Sequence, residues 1–198
     1  MTLHLPTLLR HAVGSLSAPR DEARWVMSHD MPRIARWETL LLIVVISVFL
    51  ARISMFLVPA QGDIVMAPLM MNPFMVGIIQ MSSLVLMVFA IYWVGRAMGG
   101  VGGFGNTILV VAWIQFVMVC LQVIQTVSMV LVPPLAGMIS MAGFVLFFWL
   151  LTNFIAELHG FVSLGRVFLV IILTTVGFAF GLSLILTMIG VSMIPGAM

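Results

Sequence analysis

The side chains best suited to chemistry are five polar groups inside two otherwise apolar segments. They are Gln80 and Ser83 in one segment and Gln115, Gln122 and Gln125 in the next. If the second segment is a helix, each residue advances by about 100°, so its three glutamines lie within roughly 80° and form one polar face. Amide groups in hydrocarbon must find partners or water. The face predicts either hydrogen bonds between helices or a polar pathway for a small solute.

Gln80 and Gln125 are expected at the same depth if the two segments are antiparallel helices. Each lies about six residues from the same end of the helix pair, so the sequence predicts a hydrogen bond between them. Such bonds usually contribute about 0.6 to 2 kcal/mol in membranes. Ion or proton transport has no support, because no acid or base lies in the middle of these two segments.

A second polar group begins at the end of the fourth apolar segment with Glu157 and continues in the following turn with His159 and Gly160. Arg166 lies at the start of the next segment. Glu157 and His159 are two residues apart and do not share a helix face, so a metal pair or an acid–base dyad is not expected. The sequence instead predicts that Glu157 pairs with Arg166 or with Arg96.

Other motifs do not add an enzymatic site. The stretch Gly100–Gly105 matches the GxGxxG pattern, but it has no preceding strand and no acid about twenty residues later, so a tight turn is favoured. Soft thioether ligands suited to Cu(I) cluster between the first two apolar segments, although 18 methionines in the chain make some clustering expected. These are Met66, Met70, Met71 and Met75. No catalytic residue, metal or cofactor is predicted.

The elements that position these residues are membrane-spanning helices. The chain is 63% hydrophobic and 7% charged, whereas soluble domains carry about 25% charged residues. All eight basic residues are arginines and the net charge is only +2, which is too little positive charge for a nucleic-acid-binding surface. We expect an all-α, polytopic bundle of about five transmembrane helices. The predicted spans are 38–58, 74–98, 106–132, 135–158 and 163–194, with Pro133 and Pro134 ending the third.

Residues 1–36 form a separate amphipathic segment before the transmembrane domain of residues 37–198. Apolar residues recur there at three- and four-residue steps, which predicts a short helix lying on the membrane surface. These are Leu5, Leu8, Leu9, Ala12, Val13 and Leu16. A second short helix is predicted from a Ser17 cap to about Ser28.

The arginines predict the orientation. Seven of the eight fall on one side if the N-terminus is cytoplasmic and the C-terminus lies outside. Arg10, Arg20 and Arg24 are then expected beside anionic lipid headgroups. The exception is Arg52, near the other end of the first span, whose long side chain can snorkel outward.

A GxxxG pair, Gly177 and Gly181, lies in the fifth span. Such a pair lets two helix backbones approach closely. It predicts either packing inside the bundle or contact with a second copy of the chain or another membrane protein.

The order of these features resembles the bacterial branch of the Yip family, the Ypt/Rab-interacting membrane proteins. The features are the stretch Leu16–Arg20, five spans, the glycine run Gly99–Gly103 and the stretch Glu157–Phe161 before the last span. In eukaryotic members the resemblance implies a five-span protein that helps Rab GTPases and vesicle coats organise membrane traffic. The tyrosine-containing YGP signatures of those members are absent here, since the only tyrosine is Tyr92.

The expected function is therefore that of a non-enzymatic, membrane-organising or adaptor protein of a bacterial inner membrane. Membrane lipids are the expected partners, with no nucleic acid. The alternative is a small-solute channel or transporter that uses the glutamine face.

Overall fold

The structure, a computed structural model, describes residues 4–57 and 72–188. Within these ranges the chain forms seven helices and no strand. They are α1 (Leu5–Ser17), α2 (Pro19–Met27), α3 (Arg33–Leu57), α4 (Pro73–Ala97), α5 (Phe104–Leu131), α6 (Pro133–His159) and α7 (Leu164–Met188). The last five are long and apolar enough to cross a membrane. The prediction of an all-α bundle with five spans is confirmed.

Proline and glycine end the helices where the sequence indicated. α5 stops at Leu131 and α6 begins at Pro133, because proline fits the first turn of a helix but not its interior. α6 ends at Gly160, whose φ of 73° is a left-handed conformation that glycine adopts readily. The predicted end of the fifth span at residue 194 lies outside the described residues, as do Met66, Met70 and Met71 of the methionine cluster.

The predicted serine cap of α2 is wrong. Ala18 occupies the cap position without a side-chain hydrogen bond, and Pro19 begins the helix. Ser17 remains in the last turn of α1, where its Oγ donates to the Gly14 carbonyl at 3.3 Å. Only Ala18 separates α1 from α2, so Ser17 is still part of α1 and cannot cap α2.

The core is centred on α5 and α6. Every residue of α5 from Thr107 to Ile114 is buried, because α1, α2, α3, α4 and α6 all pack against this helix. The same core contains Ala12 of α1 together with Ala23 and Val26 of α2. The two N-terminal helices therefore share the core of the spans.

The last helix, α7, has the least contact with the rest of the bundle. It packs on α6, with Val167 and Ile171 as its buried residues. Its other described side chains are half-buried or exposed. This helix is therefore placed almost entirely by one neighbour.

Candidate functional site

Two turns meet at one end of the bundle, and His159 joins them. The first turn connects α4 to α5, and the second connects α6 to α7. The backbone N–H of Val101 donates to the carbonyl of His159 at 3.3 Å. The N–H of Gly102 donates to Nδ1 of the same residue, also at 3.3 Å. His159 is only 2% exposed, so its side chain is an internal part of this end of the bundle.

The imidazole of His159 occupies space that only glycines leave open. A Cβ atom added at Gly95, Gly100 or Gly102 would overlap with the ring. Gly99 has a φ of 87°, which confirms that this turn needs the backbone freedom of glycine. The sequence did not show the second reason for the glycine run, which is the absence of side chains around His159.

The remaining surroundings of His159 are those of a structural group. Because Nδ1 accepts a hydrogen bond, the neutral ring must carry its proton on Nε2. Nε2 is buried without a well-formed hydrogen bond to the described residues, although the backbone carbonyl of Ile91 lies near enough to interact with the ring. Phe161 stacks on the imidazole with ring centres 5.5 Å apart. Within the described ranges, no three His, Cys, Asp or Glu residues gather as metal ligands.

Two arginines of α2 fasten that helix to the last turn of α6 and to the turn that follows it. Arg20 Nη2 donates to the carbonyl of Phe161 at 3.1 Å. Arg24 Nε lies 3.3 Å from Glu157 Oε1. The predicted pairing of Glu157 with Arg166 or Arg96 is therefore wrong, because α2 folds back against α6 and brings Arg24 closer.

Two of the three arginines expected at lipid headgroups thus have protein partners. Arg20 is half-buried against Phe161, and Arg24 is paired with both Glu157 and Asp21. Arg10 is exposed, and it alone of the three has no polar partner among the described residues. At the start of α7, the backbone N–H of Arg166 bonds to Ser163 Oγ at 3.4 Å, and the residue is exposed.

The α1–α2 hairpin is fixed internally by a polar pair. His11 Nδ1 lies 2.7 Å from Glu22 Oε2, and both side chains are largely buried. Trp25 stacks on His11 with ring centres 3.7 Å apart and nearly parallel planes. Gly14 lies so close to the Glu22 carboxylate that an added Cβ would overlap with it. The hairpin therefore depends on a small residue facing an acid.

The hairpin is also tied to α5. The indole N–H of Trp113 donates to Ser15 Oγ at 3.0 Å, and Ser15 is fully buried. Trp25 packs edge-on against Trp113, with ring centres 5.4 Å apart. Sequence reasoning missed Ser15. A signal was present, because this serine lies among the apolar residues of α1 at a spacing that places it beside Ala12 and Leu8.

The opposite side of α1 is apolar and faces outward. Ala12 and Ser15 are the buried residues of this helix, whereas four large apolar side chains are between 43% and 66% exposed. These four are Leu5, Leu9, Val13 and Leu16, which lie within about 80° around the helix. We call them the outward face of α1.

Ser47 of α3 replaces the predicted contact between Gln80 and Gln125. Gln80 Nε2 donates to Ser47 Oγ at 2.7 Å, and Gln122 Nε2 donates to the Ser47 carbonyl at 3.2 Å. The predicted bond is therefore not formed. The sequence-based reasoning paired α4 with α5 because they are consecutive, but α3 packs against both.

The five polar residues consequently do not line one surface. Gln122 and Gln125 border a cavity of about 340 Å³ between α5 and α6, together with Ser140. Ser83 is exposed and donates to the Ile79 carbonyl of its own helix at 2.8 Å. Gln115 is half-buried, several turns away from Gln125 on α5.

The GxxxG pair of α7 is not used inside the bundle. No described atom outside the helix backbone lies within 4 Å of a Cβ added at Gly177 or Gly181. Of the two predicted uses, packing inside the bundle therefore finds no contact in the described part of the chain.

Comparison with known families gives one match. The family model described as "Yip1 domain" matches residues 13–185, from the middle of α1 to the last turns of α7. Comparison with curated proteins and with solved structures found no match.

Proposed function

Because the chain belongs to the Yip1 domain family, we propose that it is a non-enzymatic membrane-organising or adaptor protein whose contact surface is the outward face of α1. It is a multi-pass membrane protein with five candidate spans, and members of this family are generally non-enzymatic. We extend the proposal to a bacterial inner membrane, as the resemblance to the bacterial branch suggests.

The observation that carries this proposal is the division of α1 into two sides. One side is fixed to the bundle through Ser15 and, by way of His11, to α2. The outward face remains accessible on a helix that is already folded and held in place. A rigid helix with an apolar face is a common means of binding another helix or the membrane interface, because little ordering entropy is lost on binding.

The arginines support a cytoplasmic location for this surface. The contact between Arg20 and Phe161 brings the N-terminal helices to the same end of the bundle as the α6–α7 turn. Arg96 lies in the last turn of α4 and Arg166 in the first turn of α7, so both belong to this end as well. Basic residues concentrate on the cytoplasmic side of membrane proteins. The proposed orientation has the N-terminus in the cytoplasm and the C-terminus outside.

A small-solute pathway along the glutamine face has less support. Ser47 engages the amides of both Gln80 and Gln122, so these groups are occupied by protein contacts. The cavity beside Gln125 lies between α5 and α6 and does not include Gln80 or Gln115. A continuous polar lining would need all of these side chains on one wall.

Site-specific photocrosslinking in native membranes tests the proposal. A photoreactive residue is placed at Leu9 or Val13 in the outward face and, as a control, at Val176, an equally exposed apolar position on α7. We expect a protein adduct of discrete mass at positions 9 and 13 and none at position 176. Lipid adducts alone at all three positions would contradict the adaptor function.

Deletion of residues 1–30 is a less suitable test. It removes Ala23 and Val26 from the core and Ser15 from Trp113, so loss of a partner would be confounded with unfolding. Changing Leu9 and Val13 to asparagine leaves the buried side of α1 intact. For this test the photoreactive residue is placed at Leu5, a third member of the outward face. We expect the double variant to lose the protein adduct from position 5, while its thermal unfolding midpoint stays near that of the wild type.

A further inference from the structure

The cavity between α5 and α6 has a polar part and an apolar part at different depths. Its volume of about 340 Å³ falls within the range of roughly 300 to 1,000 Å³ typical of ligand pockets. Gln125 lies six residues before the end of α5 and Ser140 seven residues after the start of α6, so both are about 9 to 11 Å from the same end of the bundle. Met118 and Phe147 border the cavity about 20 Å from that end. The polar part is therefore nearer the membrane surface, and the apolar part is nearer the bilayer centre.

The polar side chains of this cavity have hydrogen-bonding groups that the described residues do not use. The amide of Gln125 and the hydroxyl of Ser140 form no hydrogen bond within the described ranges. Gln122 donates from Nε2 to the Ser47 carbonyl, which leaves its Oε1 without a partner in the same ranges. Polar groups in hydrocarbon that lack a partner cost free energy. A ligand with matching polar groups would remove that cost.

The absence of charge limits the chemistry of such a ligand. None of the described residues that border the cavity is charged. A charged headgroup placed there would lose its water without gaining a counter-ion, which is strongly unfavourable. A neutral hydroxyl both donates and accepts, so it can bond to the Gln125 amide and to the Ser140 hydroxyl together.

The walls of the cavity are fixed by contacts beside it. A Cβ added at Gly143 of α6 would lie 2.6 Å from Leu121 Cδ2 of α5, so the two helices are in close contact at this depth. Gln122 is held in place by its hydrogen bond to α3. A preformed cavity lowers the entropy lost when a flexible chain is bound.

We infer that this cavity binds a neutral lipid alcohol of the diacylglycerol class, from the leaflet that surrounds the α5–α6 turn. The lipid hydroxyl is bound by Gln125 and Ser140, and one acyl chain extends toward Phe147. The order of polar and apolar groups in the cavity matches such a lipid, because its head lies nearer the membrane surface than its chains. The inference does not depend on the outward face of α1 or on the proposed adaptor function.

Native mass spectrometry of lipids retained by the full-length protein tests this site. The protein is released from phosphatidylcholine nanodiscs that contain equal small amounts of dioleoylglycerol and its 3-O-methyl ether, which has the same chains but no hydroxyl donor. We expect the wild type to retain dioleoylglycerol about tenfold over the ether, since one hydrogen bond accounts for a preference of that order. Equal retention of the two lipids, or retention of neither, would overturn the inference.

Substitutions of the polar residues test how the hydroxyl is recognised. Gln125→Leu should reduce the ratio to near one, because leucine is of similar size but has no amide, and Ser140→Ala should reduce it several-fold. The matched control is Gln115→Leu, the same change at a half-buried position of the same helix that does not border the cavity. This control should keep the tenfold ratio. An unchanged ratio in Gln125→Leu, or an equal decrease in Gln115→Leu, would contradict binding at this cavity.

A further variant tests the acyl-chain part of the site. Ser140→Leu fills the cavity from an exposed position with room for a larger side chain, so we expect both lipids to be lost while the thermal unfolding midpoint stays near that of the wild type. Gly137→Leu is the control, since it adds the same side chain in open space on the same helix. Retention of both lipids by Ser140→Leu would show that they bind elsewhere on the protein and would overturn the inference.

Discussion

The backbone N–H of Gly102 donates a hydrogen bond to Nδ1 of His159 at 3.3 Å, joining two turns that are 57 residues apart in the chain. This bond and the glycines around the imidazole make the end of the bundle one packed unit. Arg20 and Arg24 add the N-terminal hairpin to that unit. The site is thus a junction of the α4–α5 turn, the α6–α7 turn and the α1–α2 hairpin. The contribution of each contact to stability can be measured separately.

Gly102→Ala should lower the free energy of unfolding by about 1 to 3 kcal/mol, because the new methyl group overlaps with the imidazole of His159. In a His159→Ala background the same change should cost much less, because the ring is gone. Denaturant unfolding of the four proteins of this double-mutant cycle in detergent micelles gives the coupling energy. Gly103→Ala is the matched control, since no described atom lies within 4 Å of its added Cβ. Equal costs at positions 102 and 103 would show that the imidazole of His159 does not need the space that Gly102 leaves open.

Glu157→Arg should release the hairpin, because it places a like charge beside Arg24. The pair itself is partly exposed, so its contribution is expected to be only about 0.2 to 1 kcal/mol. Release is measured as the maleimide labelling rate of Ala23→Cys, a fully buried position, in a chain whose Cys120 has been changed to serine.

The rescue experiment for Glu157→Arg distinguishes its two possible partners. Adding Arg24→Glu should restore the slow labelling of Ala23→Cys, whereas adding Arg166→Glu should not. Rescue by Arg166→Glu and not by Arg24→Glu would instead show that Glu157 pairs with Arg166.

Ser47→Ala should destabilise the protein by about 0.6 to 2 kcal/mol, because the amide of Gln80 loses its acceptor inside the membrane. Ser83→Ala is the control and should change stability by less than about 0.5 kcal/mol, since this serine is exposed and bonds only within its own helix. Reversible unfolding in micelles measures both.

Gln80→Leu and Gln125→Leu should have additive effects on stability, because the two side chains do not bond to each other. Non-additivity beyond about 0.5 kcal/mol would show a direct contact. A loss of solute flux into proteoliposomes with unchanged stability would instead favour the pathway.

Ser15→Ala should cost about 1 to 3 kcal/mol, because the buried indole N–H of Trp113 is left without an acceptor. In a Trp113→Phe background the same change should be nearly neutral, since that donor is already gone. Thermal unfolding of these variants is compared with that of Ser17→Ala, whose serine is exposed. A similar cost for Ser15→Ala in both backgrounds would mean that the hydrogen bond contributes nothing.

The helices were predictable because their signals are local. Long apolar runs, the Pro133–Pro134 pair and Gly160 each act within a few residues, so an all-helical fold with five long apolar helices could be predicted from the sequence. The three- and four-residue spacing of apolar residues likewise predicted the helix α1. The family assignment used the order of these local features, and the match over residues 13–185 confirms membership of the Yip1 domain family.

The partners of the polar groups were not predictable in the same way. Glu157 was assigned to Arg166 or Arg96, and Gln80 to the next helix along the chain, but the structure pairs them with Arg24 of α2 and Ser47 of α3. Which helices touch depends on the packing of all the spans together. From the sequence, His159 was considered only as a possible metal ligand or acid–base group. Its structural role depends on three glycines that surround the imidazole only once the two turns have come together.

The contact between Arg20 and Phe161 also sets an order of events during synthesis. The two residues are separated by 141 positions, so the hairpin leaves the ribosome well before its binding partner exists. At about 5 to 20 residues per second, the delay is about 7 to 28 s. Trp113 of α5, the partner of Ser15, follows it by 98 residues, so the contacts with α5 can form before those with α6. The hairpin completes its docking only after α6 has been inserted. The first helices of the chain are thus among the last to reach their final positions.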